Sequence, residues 1–263
     1  MTTPVHIGTS GFLYEHWRGR FYPPASRGSE LEWFSARFDT VELNVTFYRM
    51  PARATFRSWE GRVPANFVFA VKASRYLTHV LRLREPAEPV AYLLERAKEL
   101  GSHLGPILLQ LPPDMPADLG RLEATLDAFP PTIRVAVEPR HASWYTEDLR
   151  RMLVRHQAAL CLADRRGPLM PAWRTADWGY LRFHGGRARP ASCYSEAVMA
   201  TWADSIRDMW DNDSTVYAYF NNDHAGCALR DAAVLGRLLV ERGVPVGRLP
   251  DVPDDVVDTG RTN

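Results

Sequence analysis

Cysteine is scarce in this chain. Its 263 residues include three cysteines, Cys161, Cys193 and Cys227, and none of them shows CxxC spacing. A zinc site or a dithiol redox motif needs closely spaced cysteine pairs, so neither is predicted. A small, odd number is typical of reduced thiols in a cytosolic protein, and the apolar neighbours of Cys161 predict that it packs in the core.

Long apolar runs are also absent. No run reaches the roughly 18 residues that a membrane helix needs. The first residues, MTTPVHIG, lack the charged start and apolar core of a signal peptide. We therefore expect a cytoplasmic protein without a membrane segment.

An excess of charge of either sign is missing as well. The formal net charge is +1 and the sequence pI is about 7.8. These values exclude a chain-wide basic face for nucleic acid, although a local basic patch remains compatible with them. The composition, 46% hydrophobic and 24% charged, is that of an ordinary globular protein.

Lysine is nearly replaced by arginine, since Lys72 and Lys98 are the only lysines among 32 Lys and Arg residues. Lys98 falls in an amphipathic helical pattern and is expected on a solvated face. Lys72 instead ends the apolar run 67–71. An amine can lose its proton or form a Schiff base, which a guanidinium does not, so a lysine retained here indicates amine-specific chemistry. A structural ion pair with a nearby carboxylate is the equally weighted alternative.

Short apolar runs alternate with helical patterns along the chain. We predict strands at 5–10, 40–48, 67–74, 107–111, 133–138, 159–164, 179–184 and 215–220. Predicted helices span 30–38, 51–59, 86–103, 119–129, a segment capped at Thr146, 195–210 and 228–242. Ser29 and Glu32 have capping-box spacing. This alternation predicts an α/β fold, a single TIM-like (β/α)8 barrel over residues 1–242, followed by a mobile tail at 243–263.

Polar residues end nearly every predicted strand. In a barrel of this kind the C-terminal strand ends converge on one mouth, where barrel enzymes keep their active sites. Lys72, Glu138 and His184 are the predicted catalytic residues. Glu138 or His184 would act as general base or acid, and Lys72 would stabilise negative charge or form a Schiff base. Predicted substrate-binding residues are Glu42, Asn44, Tyr48, Gln110, Arg140, His141, Trp144, Asp164, Arg182, Asn221 and Asn222.

Each of these residues also has a purely structural interpretation. Glu42 and Arg182 could form a buried ion pair that only fills the barrel, because buried charges are usually paired. His184 could be a core histidine, and His141 could cap a loop. Their joint position at strand ends favours a functional mouth.

Two loops suggest a bound anion. Gly185-Gly186-Arg187 follows the seventh predicted strand, and residues 221–226 follow the eighth. Loops at these places often hold phosphate on backbone amides and a helix N-terminus, so a small anionic ligand is predicted. A divalent metal is less favoured, because no HxH or HExxH motif accompanies the carboxylates and imidazoles. No other cofactor and no oligomeric state is indicated.

Nine short segments stand out by their order and spacing: IGTSGF (7–12), WRGRFYP (17–23), VELNVTFYRMP (41–51), FAVKAS (69–74), LLQLPP (108–113), VEPRHASW (137–144), LRFHGG (181–186), CYSE (193–196) and YFNND (219–223). In this order and spacing the chain resembles the YecE-like family, known as domain of unknown function 72, over about residues 5 to 240. The resemblance implies a TIM-like barrel and no particular reaction. The chain departs from the family pattern at Asn44-Val45-Thr46, where a serine usually occupies the middle position, and at Asp223, which precedes His224.

Together these observations predict a barrel enzyme performing proton transfer on a small anionic, sugar-like substrate. One alternative is a metal-dependent nucleic-acid hydrolase, suggested by arginine-rich loops and by the aromatic loop after the first strand. That loop could stack on a base or simply pack as a lid. The other alternative is a non-catalytic metabolite-binding module.

Overall fold

The computed structural model describes residues 5–165, 170–185, 193–253 and 256–257. All its strands belong to one parallel sheet. They are β1 (Val5–Ser10), β2 (Thr40–Leu43), β3 (Val68–Lys72), β4 (Leu104–Gln110), β5 (Val135–Glu138), β6 (Ala159–Leu160), β7 (Leu162–Asp164), β8 (Gly179–Phe183) and β9 (Val216–Phe220).

The helices outside the sheet are α1 (Glu30–Ser35), α2 (Val45–Tyr48), α3 (Arg53–Glu60), α4 (Ala87–Ala97), α5 (Leu119–Asp127), α6 (Glu147–Arg155), α7 (Glu196–Met209) and α8 (Cys227–Glu241). Short 3-10 helices span Glu15–Trp17, Lys98–His103 and Ala142–Trp144, and a π-helix spans Tyr76–Val80. Within the described ranges, no helix is both long enough and apolar enough to span a bilayer.

The sheet closes into a barrel. Its order is β6-β5-β4-β3-β2-β1-β9-β8-β7. β6 and β7 are two pieces of one strand interrupted at Cys161, and they pair with β5 and β8 respectively. The two edge strands of the sheet, β6 and β7, are therefore parts of one strand, and the sheet forms a closed ring of eight strands. The predicted TIM-like (β/α)8 barrel is confirmed.

Side-chain alternation divides the core into two layers. Inside the ring, small residues of one wall, including Ala70, Ala136 and Cys161, face the bulky rings of Tyr180 and Tyr219 from the other wall. The alternate strand residues point outward and pack against the helices in a larger apolar layer. Large and small side chains thus fill the interior in the described part of the chain, as in a packed barrel core.

The helices α1 and α6 start where they were predicted, but the predicted side-chain cap was right only for α6. The Thr146 side chain accepts a hydrogen bond from Leu149 N at 3.2 Å and caps α6, as predicted. Ser29 makes no capping bond to α1, because its hydroxyl donates to Ser26 O instead. Glu30, rather than Glu32, reaches back to the loop and accepts from Gly28 N.

β2 is shorter than predicted. Its last residue is Leu43, and Asn44 already has helical backbone angles (φ −82°, ψ −20°) that lead into α2. The prediction of a strand over 40–48 was therefore wrong beyond Leu43, and the period-two alternation that puts Glu42 on the inner face does not extend to Asn44 and Thr46.

The C-terminal segment also differs from the predicted mobile tail. Val5 N donates to Pro245 O at 2.8 Å, and Gly247 N donates to Val5 O at 3.0 Å. Val256 is buried against the barrel. Residues 245–247 therefore pair with the start of β1 at the base of the barrel, and the described part of the segment continues past Gly236 to Gly226 at the start of α8, although its Pro, Asp and Gly content suggested a loose end.

The prediction of three reduced cysteines was wrong for two of them. Cys193 and Cys227 form a disulfide between the segment before α7 and the first residue of α8, whereas Cys161 is free and buried as predicted. The two half-cystines lie 34 residues apart in sequence, so only the fold brings their Cα atoms to 4.8 Å.

Candidate active site

The centre of the barrel mouth is Arg182, which lies near the C-terminal end of β8. Its guanidinium is fully buried and bridges two carboxylates, with Nη2 2.7 Å from Glu42 Oε1 and Nη1 2.6 Å from Glu138 Oε2. Nη1 also donates to Gln110 Oε1 at 3.3 Å. Alternation along the strands makes this possible, because Glu42, Gln110, Glu138 and Arg182 all point into the ring.

Glu42 is held by two further donors. Ser10 Oγ donates to Oε1 at 2.8 Å, and Tyr180 OH donates to Oε2 at 2.7 Å. Burial acts to raise the pKa of Glu42, but Arg182 and then Lys72 outweigh it, so the pKa is lowered. Glu42 is therefore an ionised anchor of the site and a poor proton carrier near neutral pH.

Glu138 is also a buried, ionised carboxylate, and it connects Arg182 at the centre of the mouth to Arg140 at its edge. Its Oε1 accepts from Arg140 Nε at 2.9 Å and lies 3.6 Å from His184 Nε2. Burial opposes ionisation, but Arg182 and the nearby His184 hold the pKa of Glu138 well below its usual range. The predicted general-base role therefore fits His184 better than Glu138.

His184 follows β8 and is the imidazole of the mouth. Its Nδ1 lies 3.0 Å from Asn221 Nδ2, while Nε2 faces Glu138. Burial is the main cause that lowers the pKa of His184, and Arg182 adds to it, while Glu138 acts in the opposite direction. A neutral ring, held from both sides and 13% exposed, is suited to accept a proton from a ligand.

Lys72 ends β3 inside the same mouth and is 7% exposed. Its Nζ lies 4.1 Å from the centroid of the Phe47 ring. Thr46 Oγ1 lies 2.7 Å from Lys72 O and so ties α2 to this strand end. Burial first, and the charge of Arg182 second, lower the pKa of Lys72 to about 8.

Arg140 forms the rim of the cluster. Its Nε and Nη2 both lie 2.9 Å from Glu138 Oε1. Nη1 makes no hydrogen bond with the described residues, and the side chain is 25% exposed. This nitrogen is therefore a charged donor that a ligand anion can use.

Three predicted substrate-binding residues serve the protein's own structure. Trp144 is fully buried and donates through Nε1 to Met115 O at 2.8 Å, so it cannot contact a ligand at the mouth. Asn222 is buried and donates to Asp231 Oδ2. His141 accepts from Ser143 N and caps the 3-10 helix that follows, as its structural interpretation predicted.

Asp164 was also placed wrongly. Its neighbour Ala163 belongs to the inner layer of the barrel, so Asp164 points outward. There it lines a cavity of about 630 Å³ between β7 and α7. Its buried Oδ2 accepts no hydrogen bond from the described residues.

Asn44 is the N-cap residue at the start of α2, and Tyr48 is the last residue of that helix. The Oδ1 atom of Asn44 is buried and has no hydrogen-bond partner in the described part of the chain. Tyr48 is 79% exposed and lines a cavity of about 950 Å³ with Phe47, Tyr76 and Tyr92. Both residues follow the end of β2 and are not part of the strand face that carries Glu42.

The predicted phosphate loops are occupied by the protein itself where they are described. Gly185 N donates to Tyr194 OH at 2.8 Å. At the start of α8, Ala228 N donates to Asp223 Oδ1 at 3.4 Å, so a carboxylate of the chain takes the position expected for an anion. Gly186 and Arg187 lie outside the described residues. Within the described mouth, the cationic side chains beside the Glu42–Arg182–Glu138 cluster are Arg140 and Lys72.

Asp223 also fixes the aromatic loop after β1. Its Oδ2 accepts from Trp17 Nε1 at 2.8 Å and lies 2.7 Å from His16 Nε2. Trp17, Phe21 and Tyr22 are buried among other rings. The aromatic side chains of this loop thus pack against the protein itself, which agrees with the prediction that the loop packs as a lid.

Sequence reasoning missed Ser10 and Tyr180 as members of the site. Alternation was a usable signal, since Tyr180 lies two residues before Arg182 on the same face of β8. No sequence pattern indicated that its hydroxyl would reach Glu42. As for a metal, no group of three His, Cys, Asp or Glu suited to hold one occurs in the described ranges.

The fold and the mouth define the class: an α/β barrel with a buried Glu–Arg–Glu cluster at its C-terminal end. The chain matches the family described as "Protein of unknown function DUF72" over residues 6–254. The protein therefore belongs to the DUF72 family, as the YecE-like resemblance suggested.

Relatives and solved structures agree with this assignment. The UPF0759 protein YecE of Escherichia coli K12 is 24% identical, covering 86% of this chain and 91% of that protein. The UPF0759 protein YunF of Bacillus subtilis is 22% identical, covering 90% and 94% respectively.

Among solved structures, a DUF72 family protein from Thermotoga maritima superimposes with a TM-score of 0.79 at 28% identity, covering 90% of this chain and 99% of that one. A DUF72 family protein from Enterococcus faecalis gives a TM-score of 0.78 at 20% identity, covering 95% of this chain and 100% of that one.

Proposed function

We propose that the protein is an enzyme that performs acid–base chemistry on a small anionic, sugar-like substrate at the barrel mouth. The observation that carries this proposal is His184, an accessible imidazole with a lowered pKa held between Glu138 and Asn221. A neutral imidazole fixed in position can remove a proton from a bound ligand and return it elsewhere.

The neighbouring groups supply substrate binding. Arg140 Nη1 is the donor available for a carboxylate or phosphate. The side-chain amides of Gln110 and Asn221 can hydrogen-bond sugar hydroxyls at the edge of the cluster. The two terminal nitrogens of Arg182 bind Glu42 and Glu138, so its part is to hold the carboxylates in place.

The test is solvent exchange. Phosphorylated and carboxylated sugars are incubated with the protein in D₂O, and deuterium incorporation next to the carbonyl is followed by NMR. The variants are His184→Asn and Arg140→Gln. The matched control is His156→Asn, because His156 directly follows the outer helix α6.

Loss of the general base is expected to slow exchange by about 10²- to 10⁴-fold. Arg140→Gln should raise KM more than it lowers kcat, and His156→Asn should behave like the wild type. Exchange that is unchanged in His184→Asn contradicts the proposal. Saturable binding without any exchange supports the metabolite-binding module instead. A parallel arm with DNA, RNA and Mn²⁺ checks the nucleic-acid hydrolase, which stays a prediction.

A further inference from the structure

We propose that Lys72 is a covalent nucleophile that forms an imine with the carbonyl group of an anionic aldehyde or ketone. This inference rests on the proposed function, because it names the chemical class of the substrate at the same mouth. It is separable from that function, because proton transfer by His184 does not require a covalent bond to the protein.

The surroundings of Lys72 carry the inference. Buried lysines are normally paired with a carboxylate, since an unpaired buried charge is costly. Two carboxylates are buried nearby, but both are taken by guanidiniums: Glu42 by Arg182, and Glu138 by Arg182 and Arg140. The charge of Lys72 helps to keep Glu42 ionised, but its Nζ atom makes no hydrogen bond or ion pair with any described residue and lies over the Phe47 ring.

The sequence adds an independent observation. The chain uses arginine at nearly all of its 32 cationic positions, and lysine remains at only two of them. Lys98, the other lysine, is exposed on the surface. A structural cation over Phe47 could be an arginine, which contacts aromatic faces at least as well. An imine requires a primary amine, which only lysine provides.

The protonation state is compatible with this role. Burial and the nearby guanidinium lower the pKa of Lys72 to about 8. At pH 7 roughly one molecule in ten then carries the neutral amine, compared with about one in 3,000 for an ordinary lysine. A substantial fraction of Lys72 can therefore attack a carbonyl near neutral pH without first losing a proton.

The chemistry balances without a further co-reactant. The lone pair of Nζ attacks the carbonyl carbon, a C–N bond forms, and the carbonyl oxygen takes up a proton to give a carbinolamine. The nitrogen then loses one proton, a second proton is added to the hydroxyl, and the C–O bond breaks as water leaves while the nitrogen lone pair forms the C=N bond. Loss of the second proton from nitrogen gives the neutral imine, so two protons pass from nitrogen to oxygen and the sum is amine plus carbonyl giving imine plus water. His184 lies in the same mouth and can carry the proton between these steps.

Borohydride trapping tests the inference. The intact protein is incubated with glyoxylate, pyruvate or dihydroxyacetone phosphate, and sodium borohydride then reduces any imine to a stable secondary amine by hydride transfer. Peptide mass spectrometry maps the adduct. Only two side-chain amines exist in the chain, so Lys98 is an internal control for non-specific labelling, and N-terminal labelling is scored separately.

We expect an adduct on Lys72 with at least one of the three probes, at a yield at least tenfold above that on Lys98. The yield at a fixed short time should rise with pH to a half-maximum near 8. Lys72→Arg should abolish the adduct. It keeps the charge and the contact with Phe47, and its thermal unfolding is measured to establish that it folds.

The absence of an adduct with all three probes, or equal labelling of Lys72 and Lys98, would overturn the inference. Turnover that persists in Lys72→Arg and disappears in His184→Asn would overturn the imine while leaving the proposed acid–base function intact. Loss of activity in Lys72→Arg together with a trapped wild-type adduct supports both.

Discussion

Replacing Lys72 by methionine should stabilise the protein at pH 7. Lys72 is buried, and its pKa falls from 10.5 to about 8. A depressed pKa means that the folded state disfavours the charged amine, at a cost of about 3 kcal/mol at any pH below the folded value. The cost disappears as pH rises from about 8 to 10.5, because the amine is then neutral in both states.

Methionine has a similar length and carries no charge. After the substitution the buried charges still cancel, since the two carboxylates of Glu42 and Glu138 face the two guanidiniums of Arg182 and Arg140. The lost contact with Phe47 offsets roughly 1 kcal/mol of the gain. The net expectation is an increase of about 2 kcal/mol in the free energy of unfolding at pH 7.

Urea unfolding at pH 7 and pH 10 measures this effect. The advantage of Lys72→Met should shrink at pH 10, and the control Lys98→Met, at an exposed site, should change stability by less than about 0.5 kcal/mol at both pH values. A Lys72→Met protein that is less stable than the wild type at pH 7 would refute the reasoning, because Lys72 would then be a stabilising cation. A variant that is more stable and inactive would identify Lys72 as a residue kept for function at the expense of stability.

Further predictions concern the rest of the charged network. Arg182→Leu should cost about 3–5 kcal/mol in urea unfolding, because it leaves Glu42 and Glu138 buried without their shared cation; a loss below 1 kcal/mol would contradict this. Burial raises the pKa of Asp231 to about 6, so the wild type should lose up to about 3 kcal/mol as pH rises from 4 to 6, and Asp231→Asn should remove that part of the pH dependence in thermal unfolding. Asp164→Asn should leave ligand binding at the mouth unchanged in calorimetry, since the carboxylate points out of the barrel, and a tenfold change in Kd would show that this placement is wrong.

The fold could be predicted from the sequence because the patterns that specify strands and helices are local. Each strand is a short apolar run bounded by turn residues, and each helix has apolar residues at helical spacing, so their alternation specifies a barrel without knowledge of distant contacts. The same local logic placed Lys72, Gln110, Glu138, Arg182 and His184 at strand ends that share one mouth. Where the extended conformation ended early, as at Asn44, the alternation rule failed with it.

Contacts between residues that are distant in sequence could not be predicted. Nothing near Cys193 indicates that Cys227 lies beside it, and nothing near Asp223 indicates that its carboxylate will bind Trp17 and take the helix N-terminus expected for phosphate. Trp144 illustrates the same limit, because its position beside a functional strand end does not reveal that Met115 and the core enclose it.

The sequence by itself determined the class of fold and which residue types reach the mouth, because strand alternation and helical periodicity are properties of neighbouring residues. Only the tertiary structure decided which charges neutralise one another. Arg182 is shared by two carboxylates, and Lys72 is left with an aromatic ring, because the closure of the ring of strands sets distances between residues that lie up to 140 positions apart.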